Sequence, residues 1–344
     1  ADTMIAGMQL KINAGVRDEY TTLTATGVAQ QLQSLVVQPG DHTAFQFNYA
    51  PGLVPVTGKN TYQYLLPNLD LNLQVWDDFQ LRFDASRTMT RPPLNRINPT
   101  LNSIGGRVGA LTASGGNPNL MPYTSDNLDL SAEWYYQPNS YLSFDAFNKT
   151  VTNFVVQSST QQTINGVIDP TTGLPGIFTV SSNVNGPTAN VYGAEFALQH
   201  VFAESGFGFQ ANATLVGTNK PYDRNNFTVS GFAVTGLADS ANLVAFYDKD
   251  GFQARVAANW RDDYLDHFGQ AQNTSSFGTE PTFVNANTQI DFSTSYDLTE
   301  QMNVYFSAQN LNGANYSTHG RYPEQLLDAV DFGRRFTLGF HFRY

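Results

Sequence analysis

The 344-residue sequence contains no cysteine, so disulfide bonds and thiolate metal sites are excluded. Charged residues are scarce at 14%, and the formal net charge is −11, with no basic run. This balance argues against nucleic acid as a partner. No stretch reaches the roughly 18 consecutive apolar residues that a membrane-spanning helix needs. A membrane protein with this sequence would therefore have to cross the bilayer with strands.

Aromatic residues are abundant, at 25 Phe and 17 Tyr, and they alternate with polar residues. The pattern is clearest at the end of the chain, where the apolar members of the alternation are Phe336, Leu338, Phe340, Phe342 and Tyr344. Thr337, Gly339, His341 and Arg343 lie between them, which is the period of a β-strand. An aromatic final residue is typical of the strand that closes an outer-membrane barrel. We interpret the five apolar residues as an assembly and closure signal.

The same alternation recurs along the chain and predicts about twelve strands in hairpins with short turns. Between the hairpins lie long segments rich in Gly, Asn, Ser and Pro, namely 27–60, 91–122, 157–185, 219–236, 264–283 and 313–329. Short and long connections alternate strictly. This predicts an all-β, antiparallel transmembrane β-barrel with periplasmic turns and extracellular loops. A passive porin of about twelve strands and a soluble β-domain are the alternatives that the pattern leaves open.

Several motifs resemble one family. Residues 116–130 (GNPNLMPYTSDNLDL) resemble the segment before a descending strand in TonB-dependent outer-membrane receptors. Four further stretches are similar to motifs of that family, in the same order: 87–93 (RTMTRPP), 192–196 (YGAEF), 310–316 (NLNGANY) and 333–339 (GRRFTLG).

The resemblance implies a barrel of about 22 strands closed by an N-terminal plug, of which residues 1–344 would form a single C-terminal barrel portion. The plug, the segment that contacts TonB and about ten early strands are not present in this sequence. No signal peptide stands at Ala1, so we expect a processed or partial chain. The resemblance also implies a Gram-negative outer-membrane location, with lipid and lipopolysaccharide as neighbours. Transport would be driven by the TonB complex acting through the N-terminal part. The ligand would be a scarce, small polar molecule, either an oligosaccharide or a ferric siderophore.

Two clusters of aromatic and charged residues in the long loops are candidates for ligand binding. The candidate residues are Arg261, Asp262, Asp263, Tyr264, His267, Tyr316, His319, Arg321 and Tyr322. Tyr and His rings can stack on a sugar or a catechol, while Arg and Asp fix its hydroxyl groups. The alternative is that these residues belong to the aromatic belt and to loop packing.

Neither catalysis nor a cofactor is predicted. The sequence lacks a Gly-x-Ser-x-Gly elbow, a His-Glu-x-x-His motif and a phosphate-binding loop. Asp262, Asp263, Asp266 and His267 offer oxygen and nitrogen ligands, but consecutive acids at a strand end usually face water or an arginine. We therefore expect neither an enzyme nor a metal site.

Overall fold

The computed structural model describes residues 2–225, 232–268 and 280–343. Within these ranges the chain forms strands and two short 3-10 helices, at Leu94–Arg96 and Ala203–Ser205. The strands are β1 (Asp2–Ile5), β2 (Met8–Ala29), β3 (Leu32–Gln38), β4 (Asp41–Tyr49), β5 (Val54–Trp76), β6 (Phe79–Thr90), β7 (Leu101–Arg107), β8 (Ala110–Gly115), β9 (Tyr123–Gln137), β10 (Ser140–Thr152), β11 (Val155–Ile168), β12 (Pro175–Asn185), β13 (Ala189–Val201), β14 (Phe207–Thr218), β15 (Ser240–Lys249), β16 (Phe252–Arg261), β17 (Tyr264–Phe268), β18 (Pro281–Val284), β19 (Asn287–Thr299), β20 (Met302–Gln309), β21 (Tyr316–His319), β22 (Leu326–Val330) and β23 (Arg335–Phe342). No helix in the described ranges is long and apolar enough to cross a membrane.

One antiparallel sheet of 13 strands dominates the molecule. Its order is β1-β2-β5-β6-β9-β10-β13-β14-β15-β16-β19-β20-β23, so strands adjacent in the sheet follow one another along the chain. A tight turn joins the two strands of each hairpin at one end of the sheet. Every long connection leaves from the opposite end. The predicted all-β antiparallel architecture is confirmed.

The sheet has thirteen strands because the chain turns once more near its start than the alternation predicted. Ala6 and Gly7 adopt φ of 52° and 83°, which reverses the chain between β1 and β2. Asp2 to Ile5 then pair with Lys11 to Met8. The prediction of about twelve strands missed this four-residue strand, because it is too short to show an alternation.

The strand register collects apolar side chains on one face of the sheet. A single row across seven adjacent strands runs through Ile12, Leu71, Phe83, Leu130, Ala146, Ala194 and Leu215. The next row contains Asn13, Asp70, Asp84 and Asp129, because side chains alternate between the two faces. Val16 and Leu130, on the apolar face, are 70% and 55% exposed. A face that is apolar and uncovered is the face that a lipid bilayer covers in a membrane barrel.

The closing strand β23 follows this rule. Phe336, Leu338, Phe340 and Phe342 are 59%, 75%, 76% and 52% exposed, on the apolar face. Phe336 is opposite Ala308 and Phe340 is opposite Val304 of β20. Tyr344, the fifth member of the predicted closure signal, lies outside the described residues.

Three of the long loops build a second sheet at the loop end. Its order is β11-β12-β8-β7-β4-β3, and β12 pairs with β8 in parallel. Its buried core consists of Leu32, Leu35, Phe45, Leu111, Ala113, Val167, Phe178 and Val180. The segments predicted as long loops are therefore partly folded into strands of their own.

Candidate ligand-binding site

The two predicted clusters meet in a third sheet, formed by the last two long loops. Its order is β17-β18-β21-β22, so β18 lies between the two strands that carry the candidate residues. Tyr264 and Thr318 are both opposite Val284 of β18, on its two sides. Two clusters that lie some fifty residues apart in sequence are thereby joined into one surface, which we call the loop sheet (β17, β18, β21 and β22).

One face of the loop sheet is packed against neighbouring loops. Leu265, Phe283 and His319 share a cross-strand row on this face and are 6%, 7% and 2% exposed. Ala233 and Tyr222, from the loop between β14 and β15, pack on the same cluster. This apolar contact packs the loop sheet against the loop between β14 and β15.

His319 lies at the centre of the packed face. Its ring stacks on Phe283 with centroids 5.1 Å apart and an interplanar angle of 9°. Its Nδ1 is 2.6 Å from Asn285 Oδ1, whereas its Nε2 is buried and has no hydrogen-bond partner within residues 2–225, 232–268 and 280–343. Burial is the main cause that lowers the pKa of His319 below its ordinary value of 6.5, and the Arg224 cation lowers it further. Asp263 and Glu324 act in the opposite direction on this pKa. The ring is therefore neutral at neutral pH.

Arg321 ties three loops together. Its Nε and Nη2 donate to the two carboxylate oxygens of Glu280, at 3.0 Å each, and its Nη1 donates to the Arg224 carbonyl oxygen at 2.8 Å. The guanidinium carbon is 5.6 Å from the ring centroid of Tyr222. Arg321 is 5% exposed, and the hydrogen bonds that it donates to Glu280 raise its pKa. This arginine is occupied by internal contacts.

The remaining candidate residues are more accessible. Tyr316 and Tyr322 are 36% and 42% exposed, and Arg261, Asp263 and His267 are also exposed. Tyr264 and Asp262 are half-buried.

Contacts among these residues are local. The Arg261 guanidinium carbon is 3.8 Å from the ring centroid of Tyr264, a cation–π contact. His267 Nδ1 is 2.8 Å from Asp266 Oδ2. The Asp262 side chain accepts from the Asp263 backbone N–H at 2.9 Å. Carboxylates and aromatic rings thus line the same strand.

Five residues that sequence analysis missed complete the site: Tyr222, Arg224, Glu280, Phe283 and Asn285. None stands out in the sequence, because each is linked to His319 or Arg321 only by contacts between loops. Tyr222 places its hydroxyl in the packed face, where it is buried without a hydrogen-bond partner among the described residues, and this burial raises its pKa. A Tyr-Asp-Arg triplet in a polar loop gives no signal of such packing.

In the described part of the chain, His, Asp and Glu side chains do not gather into a group of three or more that could hold a metal ion. The Asp266–His267 pair lacks a third ligand from that part. The three arginines of the 91–122 segment, which could have attracted an anion, contact other loop or strand residues. Arg91 bonds Glu19 at 2.7 Å, Arg96 bonds Asn183 at 2.7 Å and Arg107 reaches Thr43 at 3.4 Å.

Comparison with known proteins bears on both sequence and fold. A family model described as "TonB dependent receptor-like, beta-barrel" matches residues 2–311. A search of curated proteins finds no match.

Solved structures resemble the fold at low sequence identity. The siderophore receptor PirA from Acinetobacter baumannii is 15% identical, with 89% of this chain and 42% of that chain covered and a TM-score of 0.56. A variant of the ferric enterobactin receptor PfeA from Pseudomonas aeruginosa is 14% identical, with 97% and 54% covered and a TM-score of 0.60. The Serratia marcescens hemophore receptor HasR, in complex with its hemophore and heme, is 12% identical, with 98% and 49% covered and a TM-score of 0.58. The chain spans about half the length of these proteins.

Proposed function

Because the chain belongs to the family of TonB-dependent receptor β-barrels, we propose that it forms the C-terminal part of an active outer-membrane importer. Barrels of this family lie in the outer membrane of Gram-negative bacteria. The whole protein would take a scarce polar ligand into the periplasm, driven by the TonB complex acting through N-terminal segments. Lipid and lipopolysaccharide would surround the barrel.

The charge of the loop sheet supports a choice between the two ligand classes. Segments 261–286 and 313–331 together carry seven carboxylates and two arginines. One of the arginines, Arg321, is neutralised by Glu280. An acidic surface repels an anionic ferric siderophore and accepts a neutral, hydroxyl-rich molecule. The exposed rings of Tyr316 and Tyr322 offer surfaces for stacking. An oligosaccharide is therefore the ligand class that we propose.

A transport assay separates this importer from a passive porin. We expect cells that express the whole protein to accumulate a labelled oligosaccharide only when TonB is present. Saturable uptake that vanishes in cells without TonB supports active import. Uptake that persists without TonB, and rises linearly with concentration, supports a passive pore. A ferric siderophore taken up in place of sugars would contradict the proposed ligand class while leaving active import intact.

Substitution of one exposed tyrosine tests the ligand-binding surface. We expect Tyr322→Ala to weaken sugar binding by about two- to tenfold, because aromatic stacking contributes about 0.5–1.5 kcal/mol. Phe332→Ala is the matched control, since Phe332 is 73% exposed but follows the last strand of the loop sheet, whereas Tyr322 lies in the connection between β21 and β22. Calorimetric titration of the purified whole protein measures both. Equal losses in the two variants would argue against a binding role for the loop sheet.

A further inference from the structure

Three extracellular loops meet at one buried point, which we call the loop junction (Tyr222, Arg224, Glu280, Phe283, Asn285, His319 and Arg321). The loop between β14 and β15 contributes Tyr222 and Arg224, and the loop between β16 and β19 contributes Glu280, Phe283 and Asn285. The loop between β20 and β23 contributes His319 and Arg321. The junction therefore decides whether these loops hold together.

The hydrogen bonds of His319 fix its tautomer. Asn285 donates through its Nδ2 to Ser317 Oγ at 2.7 Å, which leaves its Oδ1 as the acceptor for His319. His319 Nδ1 must then carry the proton, and Nε2 carries a lone pair. Nε2 is buried and has no hydrogen-bond partner in the part of the chain that the structure describes. The packed structure is thus built around the neutral ring.

The charges that face His319 come from several segments. The guanidinium carbon of Arg224 is 5.8 Å from the ring centroid of Phe283. Because Phe283 stacks on His319, the stacked pair already has a cation beside it. Asp263, between β16 and β17, and Glu324, in the loop that follows β21, are the acidic groups that act on the ring. Glu280 is engaged by Arg321 through both of its oxygens. Among the described residues, no acceptor lies at Nε2 to receive a second proton.

We propose that His319 makes the loop junction sensitive to acid: the neutral ring holds β18 and β21 together, and protonation of Nε2 separates the loops. A protonated ring would place a new N–H without an acceptor, and a positive charge, in a site that is 2% exposed. The ring can regain solvation only if β21 moves away from Phe283. This response of the loop junction to acid does not depend on which ligand the protein binds.

The direction of the pH effect follows from linkage. Burial lowers the pKa of His319 in the folded junction, so the separated form binds the proton more readily. The stabilisation from the neutral ring is fully present above the ordinary pKa of 6.5 and is lost as pH falls below it. Acid therefore acts on the junction through the loss of the neutral His319 ring.

The test is a distance measurement between two loops in the whole protein, purified in detergent. The 344 residues hold no native cysteine, so spin labels at Ala286→Cys, beside β18, and Leu327→Cys, on β22, report one distance, provided that any cysteines elsewhere in the protein are replaced. Both positions are exposed and flank the junction. We expect one short distance at about pH 8 and a growing longer component towards about pH 5.5. Acid should raise the ratio of separated to joined molecules by about tenfold for each pH unit that lies between the pKa of His319 in the separated form and its lower pKa in the joined form.

Two variants and one matched histidine control make the result decisive. His319→Phe retains a ring that can stack, His319→Gln retains a side chain that can donate to Asn285, and neither titrates. We expect both to lose the pH response, whether their distance at about pH 8 is short or already long. His267→Gln, which removes an exposed histidine of the same sheet, should keep it. A wild-type distance that is unchanged in acid would overturn the proposal. So would a response that survives in either His319 variant or disappears in His267→Gln.

Discussion

Arg321 shows how burial changes the consequence of an ion pair. The side chain of Arg321 is 6% exposed and that of its partner Glu280 is 23% exposed. At the rim of the large sheet, Arg87 and Asp126 form a pair of similar geometry, but their side chains are 46% and 52% exposed. Water screens the second pair and not the first. The two pairs are therefore expected to respond differently to the same truncation.

We predict that Arg321→Ala destabilises the loop sheet by about 3 kcal/mol, because it leaves the Glu280 carboxylate partly buried and unpaired. Arg87→Ala should cost under about 1 kcal/mol. Hydrogen exchange of the β21 and β18 amides measures the first, and exchange near Asp126 measures the second. If the double variant Arg321→Met with Glu280→Gln recovers most of the loss, the unpaired charge is the cause. Equal effects at the two sites would contradict the role of burial.

At the scale of the element, a glycine allows a loop to pack on a strand. A Cβ atom on Gly58 of β5 would clash with Pro118 Cγ, in the Gly-Asn-Pro segment. The same segment bonds β5 through Asn60 Nδ2 and the Leu120 carbonyl oxygen, at 3.2 Å. Proline is rigid, so an added methyl group must displace the loop.

We predict that Gly58→Ala costs about 1–3 kcal/mol through overpacking. Gly40→Ala is the control, because nothing lies within 4 Å of a Cβ atom there. Protease susceptibility of the 91–122 segment, compared between the two variants in the whole protein, provides the measurement. An unchanged cleavage rate in Gly58→Ala would show that the contact does not hold the segment.

Two neighbouring residues of β12 test whether the six-stranded sheet at the loop end is stabilised by its buried core. Phe178 is 0% exposed and Ile177 is 57% exposed. We predict a loss of about 3–5 kcal/mol for Phe178→Ala and less than about 0.5 kcal/mol for Ile177→Ala. Hydrogen exchange of the β8 and β12 amides distinguishes the two. Similar losses would mean that the sheet is held by its backbone pairing alone.

The sequence predicts the large sheet but neither of the two smaller sheets that the long loops build, for a physical reason. Hairpins such as β5–β6 are local: alternation sets the faces, and the turn at Asp77 and Asp78 sets the register. Pairs such as Phe283 with His319 join different loops, and β12 pairs with β8 in parallel. No turn fixes such a register, so the sequence pattern contains no information on it. The predicted site residues were brought together by contacts that only the structure reveals.

At the scale of the whole molecule, the number of strands bears on closure. Neighbouring strands are antiparallel throughout the order from β1 to β23, so the first and thirteenth strands run in the same direction. Closing this sheet upon itself would require a parallel pair, whereas bacterial barrels close with an even number of antiparallel strands. In the described residues, β1 and β23 are the two edges of the sheet. A barrel made of these strands alone is therefore disfavoured, and with it the small passive porin.

We predict that residues 1–344 expressed alone do not form the heat-modifiable band of a closed barrel in detergent, whereas the whole protein does. In the fragment, the backbone groups of β1 and β23 would face lipid without partners, and each unpaired group costs several kcal/mol or so. Substitutions on β23 of the whole protein then test which face of the large sheet contacts lipid. Leu338→Arg, on the 75%-exposed apolar face, should cost about 2–4 kcal/mol in lipid if it lies near the bilayer centre, while Thr337→Arg on the opposite face should cost far less. Heat-modifiable migration of the fragment alone would mean that these strands can rearrange into an even-numbered barrel, since the short strand β1 is the one that closure must exclude.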